Sequence, residues 1–236
     1  MAEILQKIGL VLLSILVGFF LYLKVDIINK GGPVMIPIII CSIFALAIIL
    51  ERFWFLYQMR MDATKFLETI VDTLKKQKIK EAIAACDNSP HPIGLILKAG
   101  ILKSERSREE IREAMEDTAL YEVPRLEKNL SLLASLAHIC PLLGLLGTVT
   151  GLVRCFQVIQ VKSVGFQPVS PGDLAGGIWE ALITTVAGLV IAIPAYVAYN
   201  YLVNRINNFI LDMERSATEL LNFLTEREEV KKEFRP

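Results

Sequence analysis

Three apolar segments of this chain are each long enough to cross a bilayer as a helix: Val34 to about Leu56, Leu132 to about Ile159, and Leu174 to about Tyr201. A hydrocarbon core about 30 Å thick takes roughly 20 helical residues, and each segment meets that length. The chain has 236 residues, 53% of them hydrophobic, with a mean hydropathy of +0.49. That excess of apolar residues sits in blocks, which points to an integral membrane protein with polar helices attached. A fourth block, Ile8 to Leu23, has only 16 residues. It is apolar all round and is expected to be a retained membrane helix, with an outer interfacial helix or a cleaved leader as alternatives.

Charge orients the spans. Residues 57–131 hold 13 Lys/Arg and 13 Asp/Glu, and the tail from 200 to 236 holds six Lys/Arg. The connection 160–173 has Lys162 as its one basic residue. By the positive-inside rule the middle region and the tail are cytoplasmic, and that connection is outside. Phe53, Trp54, Phe55 and Tyr57, beside Arg52 and Arg60, read as an aromatic belt at the inner boundary.

The polar regions read as helical. In "DATKFLETIVDTLKKQ", Phe66, Ile70 and Leu74 recur every four residues. "SREEIREAMEDTAL" begins with a serine and an acidic first turn, a helix start, and Pro124 further on marks a kink or a restart. The tail carries Ile206, Phe209, Ile210, Met213, Ala217, Leu220, Leu221 and Leu224 on one stripe. The expected organisation is a hydrophobic segment (1–30), a span (31–57), a cytoplasmic helical domain (58–131), two spans (132–159 and 174–201) joined by a periplasmic loop (160–173), and a cytoplasmic helix (202–236). The fold class is therefore all-α: three core spans, with a fourth N-terminal one as an option, and long helices running into a cytoplasmic helical domain.

A carboxylate interrupts the last span, "GGIWEALITTVAGLVIAIPAYVAYN". An ionised side chain in hydrocarbon costs roughly 2.5 kcal/mol or more, so Glu180 must face something other than lipid. On a helical wheel Gly177, Glu180, Ala181, Thr184, Thr185, Gly188, Ala192 and Ala195 share an arc of roughly 140°. Trp179, Leu182, Ile183, Val186, Leu189, Val190, Ile193 and Val197 lie opposite. In "HICPLLGLLGTVTGLVRCF", Cys140, Pro141, Gly144, Gly147, Thr148, Gly151 and Cys155 share an arc of roughly 120°. Small residues in such stripes are ordinary glue between helices, and the threonines can bond to backbone. Packing alone, however, does not require a carboxylate. Arg154 is either its ion-pair partner or a side chain reaching to the outer interface. The alternative use of the two small faces is to line the central space of a cyclic oligomer.

Cys41, Cys86, Cys140 and Cys155 form no CxxC pair and read as small packing residues; His91 and His138 lack ligand spacing, so neither a metal nor a cofactor is expected. A net charge of zero gives no argument for nucleic acid. Enzyme chemistry is not expected, since no nucleophile–base pair or phosphate loop is present.

"PLLGLLGTVTGL" followed by "GGIWEALITTVAGLVIAIPAYVAYN" resembles the MotA/TolQ/ExbB proton-channel family, and most of all its ExbB/TolQ branch. "GGPVMIPIIICSIFALAIILERFWFL" resembles that branch's first span, and the likeness covers about residues 30–225. The resemblance implies a multi-pass protein of the bacterial inner membrane that forms a homopentameric ring. It further implies two ExbD/TolR-like single-span partners inside that ring and a TonB- or TolA-like energy transducer, with the proton-motive force driving work at the outer membrane. By motif, Glu180 corresponds to the family's pore-side glutamate, and Thr148 and Thr185 to its pore threonines. Thr184 stands where some members have alanine. Pro141 and Pro194 fall on motif prolines, and Gly144, Gly147, Gly151, Gly177, Ala181 and Gly188 on the pore-face packing positions. The other functional readings are a flagellar or gliding stator subunit, and a non-conducting scaffold that clamps partner helices.

Overall fold

A computed structural model describes residues 30–59, 61–89 and 91–233, with side chains through 227. The expected helix over Ile8–Leu23 and the boundary role of Arg60 lie outside the described residues. Seven helices follow: α1 Met35–Gln58, α2 Ala63–Lys75, α3 Ile79–Asp87, α4 Pro92–Leu102, α5 Arg108–Glu127, α6 Leu130–Val164 and α7 Pro171–Glu233. No strand occurs among the described residues. Of these helices α1, α6 and α7 are long and apolar enough to cross a membrane, and the chain is an all-α multi-pass membrane protein.

Local chemistry sets the helix ends. Asp62 caps α2 by accepting from the Lys65 N–H at 3.3 Å. In α4, His91 Nδ1 accepts from the Ile93 N–H, and Pro92 occupies the first turn, where no donor is lost. Ser107 caps α5, its Oγ accepting from the Glu110 N–H at the start of an acidic first turn. Pro124 stays inside α5; the break comes at Lys128–Asn129, where Asn129 takes a left-handed φ of 63°.

The chain divides into two compact units. The first takes the described part of Met1–Ala47 together with Leu133–Val197. In it Val34, Met35 and Ile38 pack with Leu143, Ala187 and Ile191, joining α1 to α6 and α7. The second takes Ile48–Leu132 with Ala198–Pro236. Its core contains Leu67, Ile70 and Leu74 of α2, Ile96, Leu97 and Ile101 of α4, and Leu202, Ile206, Phe209, Met213, Leu220 and Leu224 of α7. On α2, Leu67 rather than the expected Phe66 is fully buried, and Phe66 is half-buried.

The second unit also corrects the reading of Arg52. Instead of reaching toward headgroups it is buried, and its guanidinium donates to the carbonyls of Arg125 and Leu126 at 3.3 and 3.4 Å. Those carbonyls end α5 and lack partners within their own helix, so a buried cation serves as the C-terminal cap. Phe53 stacks on Tyr201, with ring centroids 5.4 Å apart.

Candidate functional site

The site lies within the first unit, where α6 and α7 run antiparallel at backbone contact. A Cβ on Gly151 would lie 2.5 Å from the Gly177 carbonyl oxygen, and one on Gly177 would lie 2.6 Å from both the Gly151 carbonyl oxygen and Cys155 Sγ. Further along, a Cβ on Gly147 would strike Thr184, one on Gly144 would sit 3.0 Å from Thr185 Cα, and one on Gly188 would lie 2.6 Å from the Cys140 carbonyl oxygen. As the α7 positions rise from 177 to 188, their α6 partners fall from 151 to 140. Only residues without side-chain bulk allow two helices this close.

The wheels and the burial agree on which residues share a side. Cys140, Gly144, Gly147, Gly151 and Cys155 of α6 are buried, as are Glu180, Ala181, Thr184, Gly188, Ala192 and Ala195 of α7. Trp179, Leu182, Val186, Val190, Ile193 and Val197 are exposed. In the single chain the two small faces meet each other. Thr184 is fully buried, and its Oγ1 donates to the carbonyls of Glu180 and Ala181 on its own helix. Thr185 is half-buried and links the helices, donating to the Gly144 carbonyl at 3.2 Å. Half-buried Thr148 donates to Leu145 of its own helix at 2.5 Å. Pro141 is half-buried and Pro194 exposed.

Glu180 sits at one end of this seam and is 3% exposed. One carboxylate oxygen, Oε2, is ion-paired with Arg154 of α6, whose side chain is half exposed. The other, Oε1, is buried with no hydrogen-bond partner among the described residues. Three residues before α1 begins, Gly32 adopts a left-handed φ of 67°, and a Cβ there would collide with the Glu180 carboxylate. The Lys30–Pro33 turn is thus a third wall of the site, built by a glycine for two reasons at once: the backbone conformation and the space. Sequence reading passes over Gly32 because its contact partner is 148 positions away. The one available signal was the glycine pair ahead of Pro33.

Around this wall lies a cleft of about 620 Å³, lined by Lys30, Arg154, Cys155, Asp173, Trp179 and Glu180 among others. The Lys30 ammonium lies 5.9 Å from the Trp179 ring centroid. Asp173, in the first turn of α7, binds Lys162 at 2.5 Å and accepts from the N–H and hydroxyl of Ser170, so the connection between α6 and α7 is tied at both ends. Cys155 Sγ donates to the Leu174 carbonyl at 3.4 Å. Chemically the arrangement is a buried carboxylate, half neutralised, at the floor of a polar opening in an apolar helix pair.

Comparison with known proteins gives the family. Residues 88–215 match the model of the MotA/TolQ/ExbB proton channel family. A Synechocystis protein whose name marks it as ExbB-like, of biopolymer transport, is 37% identical over 176 residues, covering 74% of this chain and 68% of that protein. The biopolymer transport protein ExbB of Neisseria meningitidis serogroup A is 28% identical over 211 residues, 81% of this chain and 92% of that protein. Among solved structures, C. jejuni MotAB shares the fold with a TM-score of 0.53 at 16% identity, covering 94% of this chain and 91% of that one.

Proposed function

The chain belongs to the MotA/TolQ/ExbB proton channel family, and from that membership we propose that it is the ring-forming subunit of an ExbB/TolQ-like energy-transducing channel of the bacterial inner membrane. In this reading five copies surround the membrane helices of two ExbD/TolR-like subunits. Proton entry moves one component against the other, and a TonB- or TolA-like transducer carries the work to the outer membrane. The observation that carries the reading is Glu180: a buried carboxylate with an unpartnered oxygen, set where two membrane helices touch. A buried carboxylate oxygen with no donor among the described residues is a place where a proton, a water or a partner helix's group would bind.

The chain's own groups divide the work. Gly144, Gly147, Gly151, Gly177 and Gly188 hold α6 and α7 at a fixed spacing. Thr184 satisfies carbonyls beside Glu180, and Thr185 locks the register across the seam. Thr148 and Thr185, both half-buried at the seam's edge, are the hydroxyls offered to the ring interior. The test is assembly. Co-expressed with a single-span ExbD/TolR-like subunit, the chain should purify as one complex whose native mass equals five copies plus two. A complex of any other stoichiometry, or a chain that purifies alone, would refute the ring.

A further inference from the structure

The family reading leaves open how the transported ion reaches Glu180, and the first unit holds a cleft that ends on it. The cleft opens at the end of the spans that carries the 160–173 connection, the outer end by the charge argument. At about 620 Å³ it has room for on the order of ten to twenty waters at about 30 Å³ each. Its floor is Glu180, and between the floor and the opening stands Arg154.

We propose that Arg154 is a gate: with its guanidinium on Glu180 the carboxylate is shut off from the outer side, and with the guanidinium swung into the cleft Glu180 is open to water and small cations. The inference rests on the channel reading for the identity of the ion, but not for the gate itself. Four observations support it. The Arg154 side chain is half exposed while Glu180 is buried, so the arginine is the partner free to move. Asp173 lines the same cleft, and while Lys162 and Ser170 hold its Oδ2, its Oδ1 is left for the displaced guanidinium. Among the described residues Glu180 Oε1 has no donor, an unfavourable state for a buried carboxylate, and water reaching it from the cleft relieves it. On the opposite side Gly32 closes over the carboxylate, and Oε1 occupies the space that a side chain there would take. Arg154 is thus a positioning residue for Glu180.

Cys155, adjacent to Arg154 and lining the cleft, is a built-in reporter. The full chain, with Cys41, Cys86 and Cys140 changed to alanine, is placed in right-side-out membrane vesicles. It is treated with two methanethiosulfonates of similar size, one carrying a trimethylammonium and one a sulfonate. In the otherwise unaltered protein Lys30 and Arg154 favour the anionic reagent. Arg154→Ala should shift the ratio of rates toward the cationic reagent by at least about tenfold, equivalent to about 1.4 kcal/mol. Adding Glu180→Gln should cancel that shift, and Arg154→Lys should leave the starting ratio in place. A merely structural arginine would shift the ratio through its charge alone and leave the rate with an uncharged methanethiosulfonate of similar size unchanged, whereas loss of a gate raises that rate as well, so an unchanged uncharged-reagent rate also overturns the gate. An unchanged ratio in Arg154→Ala, or a shift that survives Glu180→Gln, overturns the gate. Should Arg154→Ala be lost from the membrane, Arg154→Gln and the starting ratio decide; a preference for the cationic reagent in the unaltered protein also overturns it. Labelling does not require conduction, so a confirmed gate beside a proton flux indifferent to Glu180 would sink the channel reading alone.

Discussion

Gly176 and Gly177 are neighbours in sequence and opposite in consequence. A Cβ on Gly177 would lie 2.6 Å from the Gly151 carbonyl oxygen and from Cys155 Sγ, and 3.3 Å from the Cys155 nitrogen. A Cβ on Gly176 would meet nothing within 4 Å. Two of the Gly177 contacts are backbone, so relief requires α6 and α7 to part by roughly 0.5–1 Å, which forfeits a quarter to a half of the dispersion at each touching atom pair. Overpacking of this kind costs about 1–3 kcal/mol, while replacing a helical glycine by alanine returns about 1 kcal/mol. Gly177→Ala should therefore destabilise by about 1 kcal/mol, the middle of a net range of roughly 0–2, and Gly176→Ala should be neutral or stabilising by up to about 1 kcal/mol. The assay is equilibrium unfolding of the purified protein in mixed micelles, followed by helical ellipticity. Equal effects of the two substitutions, or a stabilising Gly177→Ala, would refute the backbone contact from which the Glu180 site is built.

Other perturbations probe the remaining elements. Arg52→Met should cost about 2–3 kcal/mol by stripping a charged donor from the last carbonyls of α5, and amide exchange should quicken around residues 127–130. Thr185→Val should cost about 1 kcal/mol through the lost bond to Gly144, whereas Thr184→Val, which breaks bonds only to its own helix, should cost less; unfolding in the same micelles separates them. His91 is buried against the edge of Phe209, and burial lowers its pKa from 6.5 to about 4, the Asp212 carboxylate opposing and Arg205 reinforcing that shift. The unfolded chain takes up this proton below about pH 6.5 while the native one waits until about pH 4. Stability is therefore full above pH 6.5 and falls as pH drops toward 4, by on the order of 3 kcal/mol in all. His91→Asn keeps a capping acceptor and should flatten that slope, as read from unfolding midpoints across pH.

Periodicity made the three spans and both small faces readable, because burial on one side of a helix imposes a period that no other constraint hides. It also separated Trp179, Leu182 and Val186, which are exposed, from Glu180 and Thr184, which are not. What it does not encode is the partner of each face. A stripe of glycines looks the same whether it meets a neighbouring helix or a lumen, and here the two stripes meet each other. Arg154 was open between two partners because a long flexible side chain at a helix end reaches either one. Arg52 read as a boundary cation because, besides its neighbour Glu51, its partners are the backbone carbonyls of Arg125 and Leu126, which have no sequence signature. The break at Asn129 was likewise read five residues early, at Pro124, because a proline near a helix end is more visible in sequence than an asparagine adopting positive φ.

We propose that Glu180 is part of a proton path and not only a link between helices. It is tested most directly by proton uptake into liposomes that hold the chain with its single-span partner, under an imposed membrane potential and pH gradient. Glu180→Gln, which preserves size and hydrogen-bonding shape, should leave the purified complex at the same native mass and lower the uptake rate by tenfold or more, equivalent to about 1.4 kcal/mol in the barrier. Uptake equal to that of the unaltered complex would contradict the account.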